Sequence, residues 1–260
     1  MTKILFMGRK QISANLLRLL SSQDGIEIVG VLTDSHLQGS PTTAAAKELG
    51  LPLYTFDTAL EAMKGGRLKY DLGLSVLYWR KLRDEFLTIP SLGTINFHPA
   101  LLPEYKGTGG YNLAIMDELS EWGSTAHYVD ASIDTGEIIE VDRFPIDPAA
   151  ETAQSLERKT MQALEPFAQR IIARAIEAQA KLPTTPNIGG RYVSRDEMEA
   201  MKQIRDGDDV EKKIRAFWFP PYDGAYVEID GQKYTLINRQ LLEDVAPKDS
   251  TSLFAGKANA

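Results

Sequence analysis

The regular alternation of short apolar runs with amphipathic stretches is the feature that most constrains how this 260-residue chain folds. Residues 4–7 form an apolar run, and residues 12–20 then place an isoleucine and several leucines on one helical face. The pattern continues with predicted strands at residues 26–32, 53–56, 72–79 and 94–97 and predicted helices at residues 43–49 and 59–63. Near-continuous apolar strands that alternate with helices are typical of parallel strands buried on both faces. The pattern therefore predicts an α/β fold.

The middle of the chain indicates how the sheet is completed. A predicted helix at residues 111–119 precedes two predicted strands, at residues 124–129 and 137–144, which read as a hairpin added to the sheet. A long helix follows from Thr152, a suitable N-cap, to about residue 180, and Pro166 within it predicts a kink. We expect a Rossmann-like, mostly parallel sheet with helices on both faces.

Prolines and glycines between Pro183 and Gly190 interrupt the pattern, so a domain boundary is predicted near Pro183. The two predicted units are a main domain of residues 1–183 and a small C-terminal subdomain of residues 184–260.

The C-terminal subdomain is predicted to contain a helix and a β-hairpin. The helix covers residues 210–217, and alternating strands at residues 225–229 and 234–237 turn at Asp230-Gly231. The tail after Pro247 reads as flexible. Because such a hairpin leaves an exposed edge in a monomer, we expect a homodimer that uses it.

Composition excludes several classes of function. The formal net charge of −7 disfavours general binding to nucleic acid, which needs clustered Lys and Arg. The chain has no cysteine, so disulfides, thiolate catalysis and sulfur-ligated zinc are excluded. The first apolar run is too short for a signal peptide or a membrane span. We therefore expect a cytoplasmic protein with no nucleic-acid or membrane partner.

The densest group of unusual residues begins where a predicted parallel strand ends, which is where open sheets of this kind bind ligands. Asn96 and His98 are two residues apart, so on an extended strand their side chains point to the same face. An amide donor and an imidazole base would then share one cleft. The plainer alternative is a core histidine beside a turn residue. His36 and His127 lack comparable neighbours, and we interpret them as surface or packing residues.

A carboxylate partner for His98 is expected in the turn between the two later strands. Asp134, in the sequence Asp134-Thr135-Gly136, is the first candidate, and Asp130 competes with it. Asp and Gly are also ordinary turn residues, so the turn alone would not indicate a site.

Together these residues resemble the folate-dependent formyltransferases, whose hallmark is Asn-x-His, then a Leu-Leu-Pro loop, then a later Asp-x-Gly. The resemblance covers about the first 180 residues, which makes residues 1–183 the catalytic domain. It implies that Asn96, His98 and Asp134 are catalytic, with no metal and no covalent nucleophile. It also implies N10-formyltetrahydrofolate as the formyl donor. The residues implied to bind this reduced folate are Leu77, Tyr78, Trp79, Lys81, Leu82 and Asp130.

Residues 214–226 are similar to a C-terminal signature of sugar N-formyltransferases, in particular enzymes that formylate GDP-perosamine. The resemblance implies an acceptor such as GDP-perosamine or a dTDP-4-amino-4,6-dideoxysugar, used for the O-antigen of lipopolysaccharide. The diphosphate of this acceptor could be bound by nearby cationic side chains and accessible backbone groups. The predicted substrate-binding residues are Gly8, Arg9, Lys10, Tyr105, Lys106, Gly107 and Tyr222.

Rival functions remain open at this point. A methionyl-tRNA formyltransferase is disfavoured because the region after Pro183 is short and carries the acidic run of residues 206–211. If the chain were another folate-dependent formyltransferase, its C-terminal signature would have no explained function. A non-catalytic Rossmann nucleotide-binding protein would fit the strand pattern, but Gly8 is not followed by the further glycines of a dinucleotide fingerprint.

Overall fold

The computed structural model describes residues 1–33 and 39–245, so His36 and the tail after Pro247 lie outside the described residues. In chain order, the helices and strands are β1 (Thr2–Gly8), α1 (Gln11–Ser21), β2 (Ile26–Leu32), α2 (Pro41–Glu48), β3 (Leu53–Tyr54), α3 (Phe56–Lys64), β4 (Leu72–Val76), α4 (Asp84–Thr88), β5 (Thr94–His98), β6 (Tyr105–Gly107), α5 (Gly110–Met116), β7 (Glu121–Tyr128), β8 (Ile138–Pro145), α6 (Ala153–Ala178), β9 (Arg191–Val193), α7 (Arg195–Met201), α8 (Val210–Phe217), β10 (Tyr226–Ile229), β11 (Gln232–Thr235) and α9 (Arg239–Val245).

A seven-stranded sheet organises the chain in the order β3-β2-β1-β4-β5-β7-β8. The first five of these strands are parallel, and β7 and β8 form an antiparallel hairpin beside β5. The strand order reverses between β1 and β4, and ligands of such sheets bind outside the carboxyl ends at that point. The predicted mostly parallel sheet and its added hairpin are confirmed.

The central strand β1 shows why this sheet needs helices on both faces. Ile4 and Phe6 belong to a hydrophobic cluster with residues of α1, α2 and α6, whereas Leu5 and Met7 belong to a second cluster with residues of α3. Successive side chains of a strand alternate between faces, so an apolar run without polar residues must be covered twice. The predicted helices on both faces are therefore confirmed.

Strand β4 is shorter than the sequence predicts, whereas α6 begins where the sequence predicts. The strand predicted at residues 72–79 ends at Val76, because Leu77 has a φ of 56° and turns the chain out of the sheet. The helix α6 begins after the N-cap Thr152, as predicted, and continues through Pro166 as one element.

Residues on both sides of Pro183 share one hydrophobic cluster. It joins Trp122 of β7 and Leu156 of α6 to Ile214 and Phe217 of α8. The strand β9 pairs with β6, so residues 191–193 are tied to the loop that follows β5. The C-terminal part therefore shares a hydrophobic cluster with β7 and α6 and pairs with the loop that follows β5.

The predicted C-terminal hairpin is present as β10 and β11. Its turn residues Asp230 and Gly231 have φ angles of 50° and 77°, which a tight two-residue hairpin turn requires. Within residues 1–33 and 39–245, no helix is long and apolar enough to cross a membrane.

Candidate active site

Strand β5 and the turn between β7 and β8 bring the three predicted catalytic side chains together. His98 Nδ1 lies 3.5 Å from Asp134 Oδ2. Asn96 sits two residues before His98 on the same strand and therefore on the same face. Asp134 has a left-handed φ of 55°, a conformation that Asp tolerates better than most residues and that suits the tight turn.

The carboxamide of Asn96 is held from two sides. Ser75 Oγ donates to Asn96 Oδ1 at 2.7 Å, and Asn96 Nδ2 lies 3.0 Å from His127 Nε2. His127 Nδ1 lies 2.8 Å from the carbonyl oxygen of Tyr128 and must donate to it, so the neutral ring accepts at Nε2. One N–H of Asn96 therefore bonds to His127.

The interpretation of His127 as a surface or packing residue is wrong. Its side chain is buried, bonds to Asn96 and lies 3.7 Å from Asp134 Oδ1. The β5–β7 pairing places His127 directly opposite Asn96. Sequence reasoning missed it because the partner of a residue across two strands depends on their register.

His98 is buried and both of its ring nitrogens face oxygen atoms. Nε2 lies 2.8 Å from the carbonyl oxygen of Tyr105, which can only accept, so this nitrogen carries a proton. Nδ1 then faces Asp134. Burial lowers the pKa of His98 below its usual value and outweighs the opposing attraction of Asp134. The neutral form of His98 is therefore favoured at neutral pH, with the proton on Nε2 and Nδ1 directed at Asp134.

Asp134 stays ionised in this buried setting. Burial alone would raise its pKa, but His98 and His127, which attract the carboxylate in their protonated forms, and the backbone N–H of Gly107, which donates to Oδ2 at 2.9 Å, together lower it. Asn187 Nδ2 donates to the carbonyl oxygens of Asp134 and Gly136 at 3.0 and 2.9 Å. A residue beyond Pro183 thus stabilises the turn that carries Asp134, which sequence reasoning did not anticipate.

The competing carboxylate, Asp130, is engaged in the turn itself. Its Oδ1 accepts from the backbone N–H of Ser132 at 3.0 Å and from the hydroxyl of Thr135 at 2.6 Å. This geometry favours Asp134 over Asp130 as the partner of His98.

A pocket of about 110 Å³, the smaller pocket, opens on Asn96 and Asp134. Five of the six residues predicted to bind the folate line it, and Leu77 is the exception because it packs against the main core. The lining residues are Ser75, Tyr78, Trp79, Arg80, Lys81, Leu82, Asn96, His127, Val129, Asp130, Ser132, Ile133 and Asp134. All of them lie between residues 75 and 134.

A second pocket of about 360 Å³, the larger pocket, opens on His98. Its lining residues are His98, Pro99, Ala100, Gly107, Thr108, Gly109, Gly110, Tyr111, Asn112, Arg195, Met198, Glu199, Lys202, Phe217, Phe219, Tyr222 and Asp223. Gly107 and Tyr222 were predicted here, whereas the cations Arg195 and Lys202 were not. Asp134 of the smaller pocket and His98 of the larger pocket therefore lie side by side, 3.5 Å apart.

The other predicted substrate-binding residues have contacts elsewhere in the described part of the chain. Lys10 forms an ion pair with Glu157, and Lys106 Nζ donates to the carbonyl oxygen of Gly189 at 2.7 Å. Tyr105 donates its hydroxyl to Asp117 at 3.0 Å. A Cβ on Gly8 would meet the side chain of Ser13 at 2.6 Å, so helix packing already requires glycine there. Neither pocket includes Gly8, Arg9, Lys10, Tyr105 or Lys106.

No group of three or more His, Asp or Glu side chains in residues 1–33 and 39–245 is arranged to hold a metal ion. The residues that do converge are a fixed amide, a neutral imidazole and a carboxylate. Such a set can stabilise a developing oxyanion and move a proton.

Comparison with known proteins identifies the class of site. A family model for formyl transferases matches residues 3–172. A methionyl-tRNA formyltransferase of Lysinibacillus sphaericus (strain C3-41) is 34% identical over 176 residues, which cover 62% of this chain and 55% of that protein. This chain therefore aligns with only about half the length of that relative.

Two solved structures share the fold over most of the chain. A 4-N formyltransferase from Francisella tularensis has a TM-score of 0.72 at 21% identity, with 90% of this chain and 96% of that chain covered. An N-formyltransferase from Helicobacter canadensis, in complex with folinic acid and dTDP-3-aminofucose, has a TM-score of 0.72 at 25% identity, with 90% and 86% covered.

Proposed function

We propose that this chain, which belongs to the formyl transferase family, moves a formyl group from N10-formyltetrahydrofolate to the amino group of a nucleotide-linked sugar. The observation that carries the proposal is that Asp134 of the smaller pocket and His98 of the larger pocket lie side by side. A transfer between two bound molecules needs two binding sites that open on adjacent reactive groups. Holding both reactants in place can contribute on the order of 7–11 kcal/mol toward the barrier.

The smaller pocket suits the formyl donor. Leu82, Val129 and Ile133 offer apolar walls, and Tyr78 and Trp79 add aromatic rings on which a flat heterocycle can stack. Asn96 and Asp134 lie at the same pocket, so a formyl group attached to that heterocycle would reach the catalytic side chains. The folate of the Helicobacter canadensis complex supports this choice of donor.

The larger pocket suits a nucleotide-linked sugar. Tyr111, Phe217, Phe219 and Tyr222 provide aromatic surface for a base and a sugar ring. Arg195 and Lys202 on the wall are cations that could bind a diphosphate, although Lys202 also pairs with Glu199 at 2.9 Å. The nucleotide sugar of the Helicobacter canadensis complex also supports this acceptor class. Gly8, Arg9, Lys10 and Lys106 stay predictions for the same role.

When bound, the reduced folate supplies a formyl carbon that an amine can attack. Asn96 has a second N–H, which has no partner among the described residues and can donate to the formyl oxygen as negative charge develops there. A fixed donor of this kind contributes about 10²- to 10³-fold in rate. Asn96 thus acts as the oxyanion donor.

His98 moves the proton. Its Nδ1 takes the proton that the amine nitrogen loses as the new carbon–nitrogen bond forms, and Asp134 stabilises the resulting imidazolium. The electron pair of the broken carbon–nitrogen bond stays on the folate nitrogen, which receives the proton from His98. The products are a formamide on the sugar and a folate that carries N–H, so atoms and charge balance.

We further propose GDP-perosamine or a dTDP-4-amino-4,6-dideoxysugar as the acceptor, in synthesis of the O-antigen of lipopolysaccharide in the cytoplasm. The support is the similarity of residues 214–226 to sugar N-formyltransferases, together with the contribution of Phe217, Phe219 and Tyr222 to the larger pocket. A homodimer through the hairpin β10–β11 belongs to the same proposal. Ile229 and Tyr234 of that hairpin are about half exposed and could pack against a second copy.

Formylation of methionyl-tRNA is the second candidate, since the relative from Lysinibacillus sphaericus carries that name. Charge argues against it. Residues 184–245 carry nine Lys and Arg against twelve Asp and Glu, whereas a tRNA-binding face needs an excess of cations.

A mass-spectrometric assay tests both candidates. The protein is incubated with N10-formyltetrahydrofolate and, separately, with a panel of GDP-linked and dTDP-linked amino sugars or with methionyl-tRNA. We expect a formylated amino sugar with the wild-type protein and almost none with His98→Asn. Formylation of the tRNA alone would overturn the sugar proposal, and formate release without any acceptor would indicate a hydrolase.

A further inference from the structure

We propose that Ser75 is a positioning residue for formyl transfer, because its hydroxyl fixes which end of the Asn96 amide points at the reacting carbonyl. The inference rests on the proposed function, since it needs Asn96 to be the oxyanion donor. Ser75 lies on β4 directly opposite Asn96 of β5, and its Oγ donates to Asn96 Oδ1 at 2.7 Å. Its side chain is 4% exposed and lines the smaller pocket.

An amide side chain can rotate by half a turn at almost no steric cost, because its oxygen and nitrogen are similar in size. The rotated form would present Asn96 Oδ1, a second acceptor, to the formyl oxygen and would remove the donor. Correct orientation therefore has to come from the neighbours of the amide.

His127 constrains one end of the amide. Its Nδ1 donates to the carbonyl oxygen of Tyr128, so its Nε2 accepts and requires an N–H of Asn96 opposite it. In the rotated amide, two acceptors would face each other across about the same 3.0 Å.

Ser75 constrains the other end of the amide. A hydroxyl can donate or accept a hydrogen bond. Here the Ser75 hydroxyl donates to Asn96 Oδ1, so this bond holds the amide oxygen in place and opposes rotation of the amide. Ser75, Asn96, His127 and the carbonyl of Tyr128 thus form one chain in which every donor points the same way. Since the hydroxyl of Ser75 donates to Asn96 Oδ1, its effect on the reaction passes through Asn96.

The test is a mutant cycle measured on the full chain with formyl donor and the acceptor found active. Ser75→Ala should lower kcat by about 10- to 10²-fold, which is less than the 10²- to 10³-fold for losing the donor, since Asn96 is still present. The KM for both substrates should change little. Ser75→Thr, which keeps a hydroxyl, should restore most of kcat.

Ser13→Ala is the matched control. Ser13 is also buried, and its hydroxyl donates to the carbonyl oxygen of Val76, on the same strand as Ser75, at 2.9 Å, so its removal costs a comparable hydrogen bond that does not involve Asn96. Ser13→Ala should lower the melting temperature about as much as Ser75→Ala and leave kcat unchanged. Equal loss of kcat in the two variants would reduce Ser75 to a structural role and overturn the proposal.

The Asn96→Ala background supplies the deciding comparison. Adding Ser75→Ala to Asn96→Ala should cost no further activity, because a residue that acts through Asn96 has nothing left to position. If the two losses multiply, Ser75 acts by another route and the proposal is wrong. A wild-type protein that formylates no acceptor would instead defeat the proposed function, so the two failures are distinguishable.

Discussion

The two pockets differ in where their residues come from. The smaller pocket is lined only by residues 75–134, which all lie within the stretch of 3–172 that matches the formyl transferase model. The larger pocket takes about half of its lining from residues 195–223, beyond that stretch. We propose that the sheet edge binds the formyl donor and carries the reacting side chains, and that the C-terminal part selects the acceptor.

The largest expected effect concerns His98, which lines the larger pocket, and Asp134, which lines the smaller one. His98→Asn should lower kcat by about 10²- to 10⁴-fold, the range of general acid–base catalysis, with both affinities within a few-fold. Asp134→Asn should cost less, and the double variant should be little worse than His98→Asn alone, because the pair acts as a unit. Steady-state kinetics and substrate titrations measure these values. Losses that multiply would mean that Asp134 works independently of His98.

A pair of matched aromatic variants tests the division between the pockets. Trp79→Ala should weaken the folate by about 0.5–1.5 kcal/mol, the usual contribution of an aromatic contact, and leave the acceptor unaffected. Tyr222→Ala should do the reverse. KM for each substrate, measured at saturation of the other, distinguishes them. If each variant weakened both substrates alike, the two pockets would not be separate donor and acceptor sites.

The pH dependence of kcat reports on the pair of His98 and Asp134. His98 must be neutral to accept a proton, so kcat should rise with pH through the pKa of His98, below its usual 6.5, and stay level above it. Asp134 attracts the imidazolium and raises that pKa, so Asp134→Asn should move the rise to still lower pH. Rate profiles between pH 4 and 8 would check the direction. A shift to higher pH would contradict the assignment of Asp134.

The smallest expected effect tests how far the catalytic step is independent of the C-terminal part. Asn187→Ala removes two hydrogen bonds to the turn that carries Asp134 and should cost about 1–3 kcal/mol of unfolding free energy. We expect a drop in kcat of only a few-fold, because Gly107 still holds the carboxylate. Thermal unfolding and kinetics measure the two effects. A loss as large as that of Asp134→Asn would mean that the C-terminal part also controls the chemistry.

The sequence by itself determined the local periodicities and the secondary structure that they specify. Apolar runs of strand length that alternate with helical patterns predicted the parallel sheet and its two helix layers. Alternating strands on either side of Asp230-Gly231 predicted the hairpin. The period of two along a strand was enough to put Asn96 and His98 on one face, and the resemblance indicated Asp134. Each of these inferences needs only residues close together in the chain, or a motif that keeps its order.

Tertiary structure alone decided which distant residues complete the site. His127 meets Asn96 because β7 pairs with β5 in one register, and a shift by a single residue would turn it to the other face. Asn187, Arg195 and Lys202 reach the site because β9 pairs with β6 and α8 packs against α5 and α6. Register and packing depend on how the whole core is buried. A short segment of sequence does not contain that information, so no local pattern could have predicted these residues.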